Sequence, residues 1–263
     1  GCSGGDSGSS QSGNENAEKK DASGSGESKA MGRYLEEELA VPKGCMEISS
    51  LQILEDGSME MIAQNGDGVL CLYKSADQGA DWDEGVTLAS IFGLESSNGE
   101  LFYKTALGKD GSILGGVYVE AKDENGLGIM DYYYCPAGGE GRKLEFENGL
   151  AWGMKIGANG NLFLQFSGNG IQEINPTDGS IVHEYEKGSS TDYMGVTSEY
   201  LIIVSAGEVY YYDVATGKPA EGGDVLTEQL KKTPSNLEFG NSSGTSLMFM
   251  DGDEEGTVFY VDS

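Results

Sequence analysis

A frame of two apolar strands joined through a glycine recurs along the chain from residue 50 onwards. Each copy has a turn signal, an apolar strand, a short polar gap and then a glycine that opens a second apolar strand. The second strands start at Gly68, Gly128, Gly170, Gly207 and Gly256, so that successive copies lie 60, 42, 37 and 49 residues apart. These distances bracket the ~40–50 residues of a repeat that consists of one four-stranded sheet.

The composition indicates an all-β protein. The 263 residues include 42 glycines, 14 tyrosines and 8 phenylalanines but only 5 prolines, a mixture of strand-favouring residues and turn formers. Apolar residues fill both faces of the repeated strands, as expected for sheets stacked between neighbours. The predicted fold is therefore a β-propeller with about five detectable blades, and whether these blades complete a ring is left open.

The octet from Ser75 to Trp82, with the form Ser-x-Asp-x-Gly-x-x-Trp, lies where the first copy needs a hairpin turn. Ser75 and Asp77 carry short acceptors that can bond to nearby backbone NH groups, and Gly79 can adopt a positive φ at little cost. Trp82 has a large apolar body to bury as the chain re-enters a strand. We interpret the octet as a structural clamp; the alternative is a metal or substrate role for Asp77.

This octet resembles the Asp-box, the BNR-type repeat of many β-propellers, except that Asp81 stands where the family usually has Thr. The stretch that begins with Gly32, Arg33 and Tyr34 is similar to the opening of Asp-box propellers in lipoproteins of Gram-positive bacteria. The resemblance implies that the octet lies on the blade periphery, away from the ligand-binding end. It also implies that an extracellular solute-binding domain can follow the propeller in a longer protein.

The first residues are typical of a processed bacterial lipoprotein. Cys2 follows Gly1 and opens a run of Gly, Ser, Asn, Asp, Glu and Lys that extends to about residue 31 without an aromatic side chain. Such a run cannot bury enough apolar surface to fold. We therefore predict a lipidated Cys2, a disordered linker over residues 1–31, a propeller domain over residues 32–263, and an extracytoplasmic location with the chain anchored to the cell membrane.

The segment just after the linker, GRYLEEELAVPKG, allows two interpretations. Leu35, Leu39 and Val41 share the parity of a strand, whereas Leu35 and Leu39 also fit one face of a helix that ends before Pro42. The resemblance favours the strand, in a position where it pairs with the last blade.

The charge restricts the partners. With 16 basic against 44 acidic residues, the formal net charge is −28, which repels the phosphates of nucleic acids and the head groups of anionic lipids. We expect no nucleic-acid partner and a link to the membrane only through the lipid anchor. Cysteines at positions 2, 45, 71 and 135 have no zinc-ligand spacing, and we expect neither a metal nor a cofactor.

The sequence identifies no catalytic residue. Asp-box propellers include sialidases, which bind a carboxylate with three arginines, and this chain has only Arg33 and Arg142. Among the acids, Asp131, Glu173 and Asp213 lie in or beside predicted strands, and a solvated turn is the expected setting of each. His183, the single histidine, is interpreted as a surface or packing residue.

Evidence for binding centres on Trp152, which glycines flank in the run GLAWGMKIG. Trp152 is a candidate ligand contact, and packing between blades explains it equally well. The sequence favours a non-catalytic module that binds a small solute or a glycan, or acts as a scaffold. The alternatives are a glycan-processing hydrolase that uses paired carboxylates, and a spacer that presents a C-terminal solute-binding domain.

Overall fold

The computed structural model describes residues 39–94, 102–122, 128–146, 149–166, 170–186, 193–206, 208–225, 247–252 and 258–262. They form eighteen strands and the short helix α1: β1 (Glu47–Ile53), β2 (Met59–Gln64), β3 (Leu70–Ser75), β4 (Val86–Thr87), α1 (Leu88–Ile91), β5 (Phe102–Leu107), β6 (Ile113–Lys122), β7 (Gly128–Cys135), β8 (Arg142–Lys143), β9 (Ala151–Ile156), β10 (Leu162–Phe166), β11 (Gly170–Ile174), β12 (Ile181–Tyr185), β13 (Tyr193–Val196), β14 (Tyr200–Ser205), β15 (Glu208–Asp213), β16 (Lys218–Pro219), β17 (Leu247–Gly252) and β18 (Val258–Asp262). Residues 223–225 are also helical.

The strands form antiparallel sheets that follow the chain order. Strands β1–β4, β5–β8, β9–β12 and β13–β16 make four sheets of four strands, here called blades I to IV, and β17 pairs with β18. The apolar strand pairs expected from the repeated frame are confirmed as the second and third strands of blades I to IV. The expected number of about five blades is corrected, because within the described residues the fifth copy forms only a two-stranded sheet.

The first strands of the blades lie next to one another. Contacts join β1 to β5, β5 to β9 and β9 to β13, and β17 lies against β1. We call these the inner strands, since in a β-propeller the first strands surround the central channel. The fold is therefore a β-propeller. The pairing of the two strands of the fifth copy was predicted. The position of these strands in their blade was not predicted, because β17 lies where an inner strand is expected and not where a second strand is expected.

The segment before β1 is not a strand. Residues 39–46 have irregular and turn conformations, so the predicted strand is wrong for Leu39 and Val41, whereas Leu35 lies outside the described residues. Leu39 instead packs against the apolar face of blade I that also contains Met59 and Tyr73. Pro42 explains part of this outcome, because its ring removes a backbone donor and favours a turn, here closed by Cys45 N and Pro42 O at 3.0 Å.

The apolar core is divided into layers between consecutive blades. Ile62 and Leu72 of blade I meet Leu107 and Ile113 of blade II, with α1 and Phe92 between them. A second layer joins blade II to blade III, and a third joins blade III to blade IV. Because neighbours cover both faces of a blade, β2 and β10 are buried almost throughout. No helix among the described residues is both long and apolar enough to cross a bilayer.

The turns between the inner and second strands repeat one design in blades I to III. Asp56 accepts the NH of Ser58 at 2.9 Å, Asp110 accepts the NH of Ser112 at 2.9 Å, and Asn159 accepts the NH of Asn161 at 3.0 Å. The glycine between each pair has a positive φ, between +78° and +88°. The side chain thus closes a tight turn in which a residue with a Cβ would be strained.

Two glycines with nearly equal φ separate backbone strain from packing. Gly160, with φ +78°, has open space where a Cβ would lie, whereas at Gly170, with φ +76°, a Cβ would overlap the carbonyl oxygen of Tyr185. We expect Gly160→Ala to cost about 1 kcal/mol from the left-handed backbone alone, and Gly170→Ala to cost at least about twice as much. Thermal unfolding followed by circular dichroism measures both losses. Equal losses would contradict the close approach of Gly170 to Tyr185.

Candidate ligand-binding site

Three inner strands carry a β-bulge at the same position. The pairing with the second strand shifts between Ile48 and Ser50 in β1 and between Phe102 and Lys104 in β5, so that Ser49 and Tyr103 are extra residues. In β9 the same shift leaves Trp152 as the extra residue. Each bulge lies opposite the fourth and fifth residues of the second strand of its blade. A bulge redirects a side chain out of the regular alternation of a strand.

The bulges bring large aromatic side chains to one end of the inner strands. Tyr103 is 46% exposed and Trp152 is 48% exposed, and Tyr193, the first residue of β13, is 41% exposed. All three lie near the start of their strands, and because the inner strands run side by side in the same direction, they share one end of the central channel. We call Ser49, Tyr103, Trp152 and Tyr193 the channel mouth.

The sequence left open whether Trp152 packs between the blades, and its exposure argues against that interpretation. Gly153, which follows Trp152, lies close to side chains of β10 and β13. A Cβ at Gly153 would come within 2.8 Å of Gln165 Oε1 and 3.3 Å of Met194 Cε. The glycine therefore makes room for protein side chains.

Polar groups lie beside the aromatic residues of the channel mouth. Thr105 Oγ1 lies 2.8 Å from Ser49 Oγ and 2.9 Å from Ser50 Oγ, which joins β1 to β5. The Lys104 ammonium group lies 5.7 Å from the centre of the Tyr103 ring. The mouth thus combines aromatic faces with hydroxyl groups and an amine, a combination typical of sites that orient a ligand by a few polar contacts.

The octet from Ser75 to Trp82 forms a hydrogen-bonded turn after β3. Ser75 Oγ accepts the NH of Gly79 at 2.8 Å and donates to Asp77 Oδ1 at 2.7 Å. Asp77 Oδ1 also accepts the NH of Asp81 at 2.9 Å. The hydrogen bonds from the Asp81 NH and the Ser75 hydroxyl hold the pKa of Asp77 below its usual value. Both acceptors are thus engaged inside the turn.

The end of the octet holds the segment before β1 against blade I. Trp82 Nε1 donates to the carbonyl oxygen of Ala40 at 2.7 Å, and Leu39 lies against Gly79, which has φ +84°. A cleft of about 510 Å³ lies here between Trp82 and the segment from Ala40 to Lys43. Because β3 runs away from the end where β1 begins, the octet lies at the opposite end of blade I from the channel mouth.

Glu173 on β11 is fully buried, at 0% exposure, so the expected solvated turn is wrong for this residue. Its Oε1 accepts the side-chain amides of Asn159 at 2.9 Å and Asn161 at 2.6 Å. Its Oε2 accepts the Tyr185 hydroxyl at 2.8 Å and lies 2.9 Å from His183 Nδ1, which carries the proton because a carboxylate only accepts. Burial alone would raise the pKa of Glu173, but the four hydrogen bonds outweigh it and lower the pKa.

His183 is a packing residue, one of the two settings that its sequence context indicated. Its ring ties β12 to Glu173 and lies against Gly217 of blade IV, where a Cβ would overlap the ring. The sequence signal that could have revealed this network is the pair of asparagines at 159 and 161, which replaces the Asp and Ser of the turns in blades I and II.

Glu60 on β2 is a second buried carboxylate, at 1% exposure. Its Oε1 lies 2.7 Å from Lys74 Nζ, and no well-directed hydrogen bond from a described residue reaches either oxygen. Burial raises the pKa of Glu60, and the negative charges of Asp110 and Asp56 add to this, against the lowering effect of Lys74. Glu60 faces blade II, where Gly111 lies nearby.

The other residues singled out from the sequence have structural contacts or lie outside the description. Asp131 pairs with Lys143 at 2.8 Å, and Asp213 closes a turn by accepting the NH of Thr216 at 2.8 Å. Cys71 is buried. Cys2 lies outside the described residues. Where the structure describes the chain, no group of three or more His, Cys, Asp or Glu side chains is arranged to hold a metal ion.

No protein-family model matches the chain, and no match was found among curated proteins. Among solved structures, it is similar to YCF48 bound to D1 peptide, with 13% identity and a TM-score of 0.44 over 86% of this chain and 64% of that one. It is also similar to the computationally designed Ika8 protein, with 14% identity and a TM-score of 0.43 over 82% and 58% of the two chains. The WD40 β-propeller domain of Doa1 has 14% identity and a TM-score of 0.35 over 69% and 71%.

The chain spans less than two thirds of the length of the first two of these structures. Likeness at these scores carries no argument about function. The protein is a β-propeller on the evidence of its own strand order and pairing.

Replacing Glu173 by Gln is expected to cost about 2 kcal/mol or more near pH 7, because the amide turns an NH₂ group toward existing donors. The pKa of Glu173 is lower in the folded than in the unfolded state. Its ionised form therefore stabilises the fold above about pH 4.3, and this contribution is lost as the pH falls through the folded pKa. The difference in melting temperature between the wild type and Glu173→Gln should narrow as the pH is lowered from about 7 to about 3.

Glu60→Gln is the matched control, with the opposite sign. The pKa of Glu60 is raised in the folded state, so its charge costs stability above that pKa. Near pH 7 the amide is expected to leave stability unchanged or to increase it, because the exposed Lys74 ammonium can turn to water. The difference should vanish as the pH falls through the raised pKa. A loss at neutral pH as large as that of Glu173→Gln would contradict this assignment.

Proposed function

We propose that this β-propeller is a non-catalytic binding or scaffolding module of a protein held at the outer side of the cell membrane. The observation that carries the proposal is the channel mouth, where bulges expose Tyr103 and Trp152 on adjacent inner strands. Exposing large aromatic side chains to water is unfavourable, and such side chains are enriched where proteins bind ligands or other proteins.

The settings of the buried acids support a role without catalysis. A glycan-processing hydrolase needs two carboxylates roughly 5–10 Å apart at the substrate, one of them with a raised pKa. Among the described residues, the carboxyl group with a raised pKa is that of Glu60, which is 1% exposed and faces blade II. Glu173 uses its four acceptor positions to hold Asn159, Asn161, His183 and Tyr185. Both acids therefore act within the scaffold, and the hydrolase remains the alternative.

A ligand screen on the full chain tests the binding role. Thermal unfolding would be followed with neutral oligosaccharides, amino acids, polyamines and short peptides, and the ligands would be recovered for mass spectrometry. We expect one class to raise the melting temperature and to be recovered intact. The stabilisation should grow with the logarithm of the ligand concentration and reach about 2.7 kcal/mol at a hundredfold excess over Kd. We expect Trp152→Ala to abolish the shift. Recovery of cleaved ligand would favour the hydrolase, and a cooperative melt without any shift would favour the spacer.

The proposed cellular location is based on the sequence. Cys2 and the linker composition of residues 1–31 support a lipid anchor and a tether, and the resemblance to Asp-box propellers of Gram-positive lipoproteins supports the same location. The turn geometry of Ser75, Asp77, Gly79 and Trp82 fits a structural Asp-box at the blade periphery. In this proposal the propeller belongs to a longer surface protein, with a fifth blade built around β17 and β18 and with a solute-binding domain as its partner.

Removing the thiol of Cys2 tests the anchor. When the chain is expressed in a bacterial host behind a lipoprotein signal peptide, we expect the wild type in the membrane fraction and Cys2→Ala in the soluble fraction. A single acyl chain binds membranes only marginally, so the diacylated cysteine of a lipoprotein is the relevant anchor. Cys45→Ala, which changes a half-buried thiol, is the control and should stay in the membrane fraction. Identical fractionation of wild type and Cys2→Ala would refute the anchor.

A further inference from the structure

We propose that the channel mouth binds a neutral carbohydrate, with Tyr103 and Trp152 stacking against the sugar rings. This inference rests on the proposed binding function and specifies its ligand class. The apolar C–H face of a pyranose ring matches the flat, electron-rich face of an aromatic side chain, while its hydroxyl groups need donors and acceptors around the rim. The channel mouth supplies both kinds of group.

The bulges place the two rings for this purpose. Tyr103 and Trp152 are the extra residues at equivalent positions of β5 and β9, which contact each other directly. Their side chains are therefore presented from neighbouring strands at the same level of the channel. Tyr193 continues the series on β13, where its ring lies over Gly195, at which a Cβ would come within 2.9 Å of the Tyr193 hydroxyl oxygen. Three successive blades thus contribute an exposed aromatic ring to one end of the channel.

Residues at and beside the channel mouth supply the polar groups that a sugar requires. The Thr105 hydroxyl bonds to that of Ser49 at 2.8 Å and to that of Ser50 at 2.9 Å, and a hydroxyl in such a chain keeps acceptor capacity for a ligand. Lys104, whose ammonium group lies 5.7 Å from the Tyr103 ring centre, adds a donor beside the stacking face. Groups of this kind fix the orientation of a ring whose face stacks on an aromatic side chain.

Charge selects a neutral ligand over an ionic one. The formal net charge of −28 repels acidic polymers. A cationic ligand would be attracted by this field, but beside the Tyr103 ring it would meet the like charge of the Lys104 ammonium group. A neutral sugar meets neither repulsion, because its stacking and hydrogen bonds require no net charge.

The chain itself contains a reporter for this site. It has two tryptophans, Trp82 and Trp152, so Trp82→Phe in the full chain leaves Trp152 as the single indole. Its fluorescence would be titrated with cellohexaose, chitohexaose and maltohexaose, and separately with choline and spermidine. We expect a saturable change with at least one hexasaccharide, unaltered between about 50 and 500 mM NaCl, because a neutral ligand is not screened.

Variants locate the response. Adding Tyr103→Ala should weaken sugar binding about tenfold, the loss of one stacking partner and its buried area. Tyr118→Ala is the matched control, since Tyr118 is similarly exposed, at 44%, but lies on the second strand β6; it should change Kd by less than about twofold. Should Trp82→Phe fail to melt cooperatively, calorimetric titration of the wild type against Trp152→Ala gives the same comparison.

Each other outcome has a distinct meaning. A saturable response to choline or spermidine that weakens with salt, with none to the sugars, overturns the carbohydrate assignment and leaves the binding function in place. If the sugars cause no fluorescence response and a peptide raises the melting temperature, the carbohydrate assignment is also overturned and the binding function stays in place. Sugar binding accompanied by cleavage supports the site and overturns the non-catalytic function.

Discussion

Blades I to III are covered on both faces by apolar side chains, and the rest of the structure depends on that burial. A four-stranded sheet exposes two apolar faces, and neither can face water without a large cost. The layers between blades I and II, II and III, and III and IV remove these faces from water. The side of blade I that has no earlier blade packs against the segment around Leu39, held in place by the Trp82 indole.

This burial explains which strands could be predicted. The second and third strands have neighbours on both faces, so they read as apolar runs opened by glycine, and the frame found in the sequence matches them. The first and fourth strands escaped prediction for two reasons. Bulges interrupt the alternation of β1, β5 and β9, whereas β4, β8 and β16 are only two residues long. The two-strand frame gives the number of copies. It does not show which strands of its blade the last copy forms.

The site was less accessible to prediction than the fold. Trp152 stood out because tryptophan is rare in this chain, but its exposure depends on a bulge, and pairing shifts between strands that are distant in the sequence leave no local pattern. Tyr103 and Tyr193 were hidden among 14 tyrosines. Glu173 was misassigned for a similar reason, since its four partners come from the β9–β10 turn and from β12, and only the folded sheet brings them together.

The two buried acids show how a carboxylate at equivalent register in two different layers can be compensated in different ways. Glu60 and Lys74 are cross-strand partners, and Phe163 and Glu173 are partners at the equivalent register of blade III. Each carboxylate faces the next blade. In blade III four hydrogen-bond donors surround the charge, so ionisation is favoured inside the protein. In blade I an ion pair with an exposed lysine is the main compensation, and burial dominates the pKa. The number of hydrogen bonds to each carboxylate decides whether its pKa is raised or lowered.

Function in this architecture is confined to positions that burial leaves free. The middle strands have few such positions, because most of their side chains pack between two blades, where a change disturbs the packing. The inner strands have one free edge, which faces the channel. A bulge on this edge points a side chain outward. At the opposite end of the same strands, the Asp-Gly-Ser and Asn-Gly-Asn turns and the buried acids hold the sheet rigidly. The aromatic groups of the channel mouth are therefore displayed on a fixed frame, so a ligand that binds them has little ordering entropy of the protein to overcome.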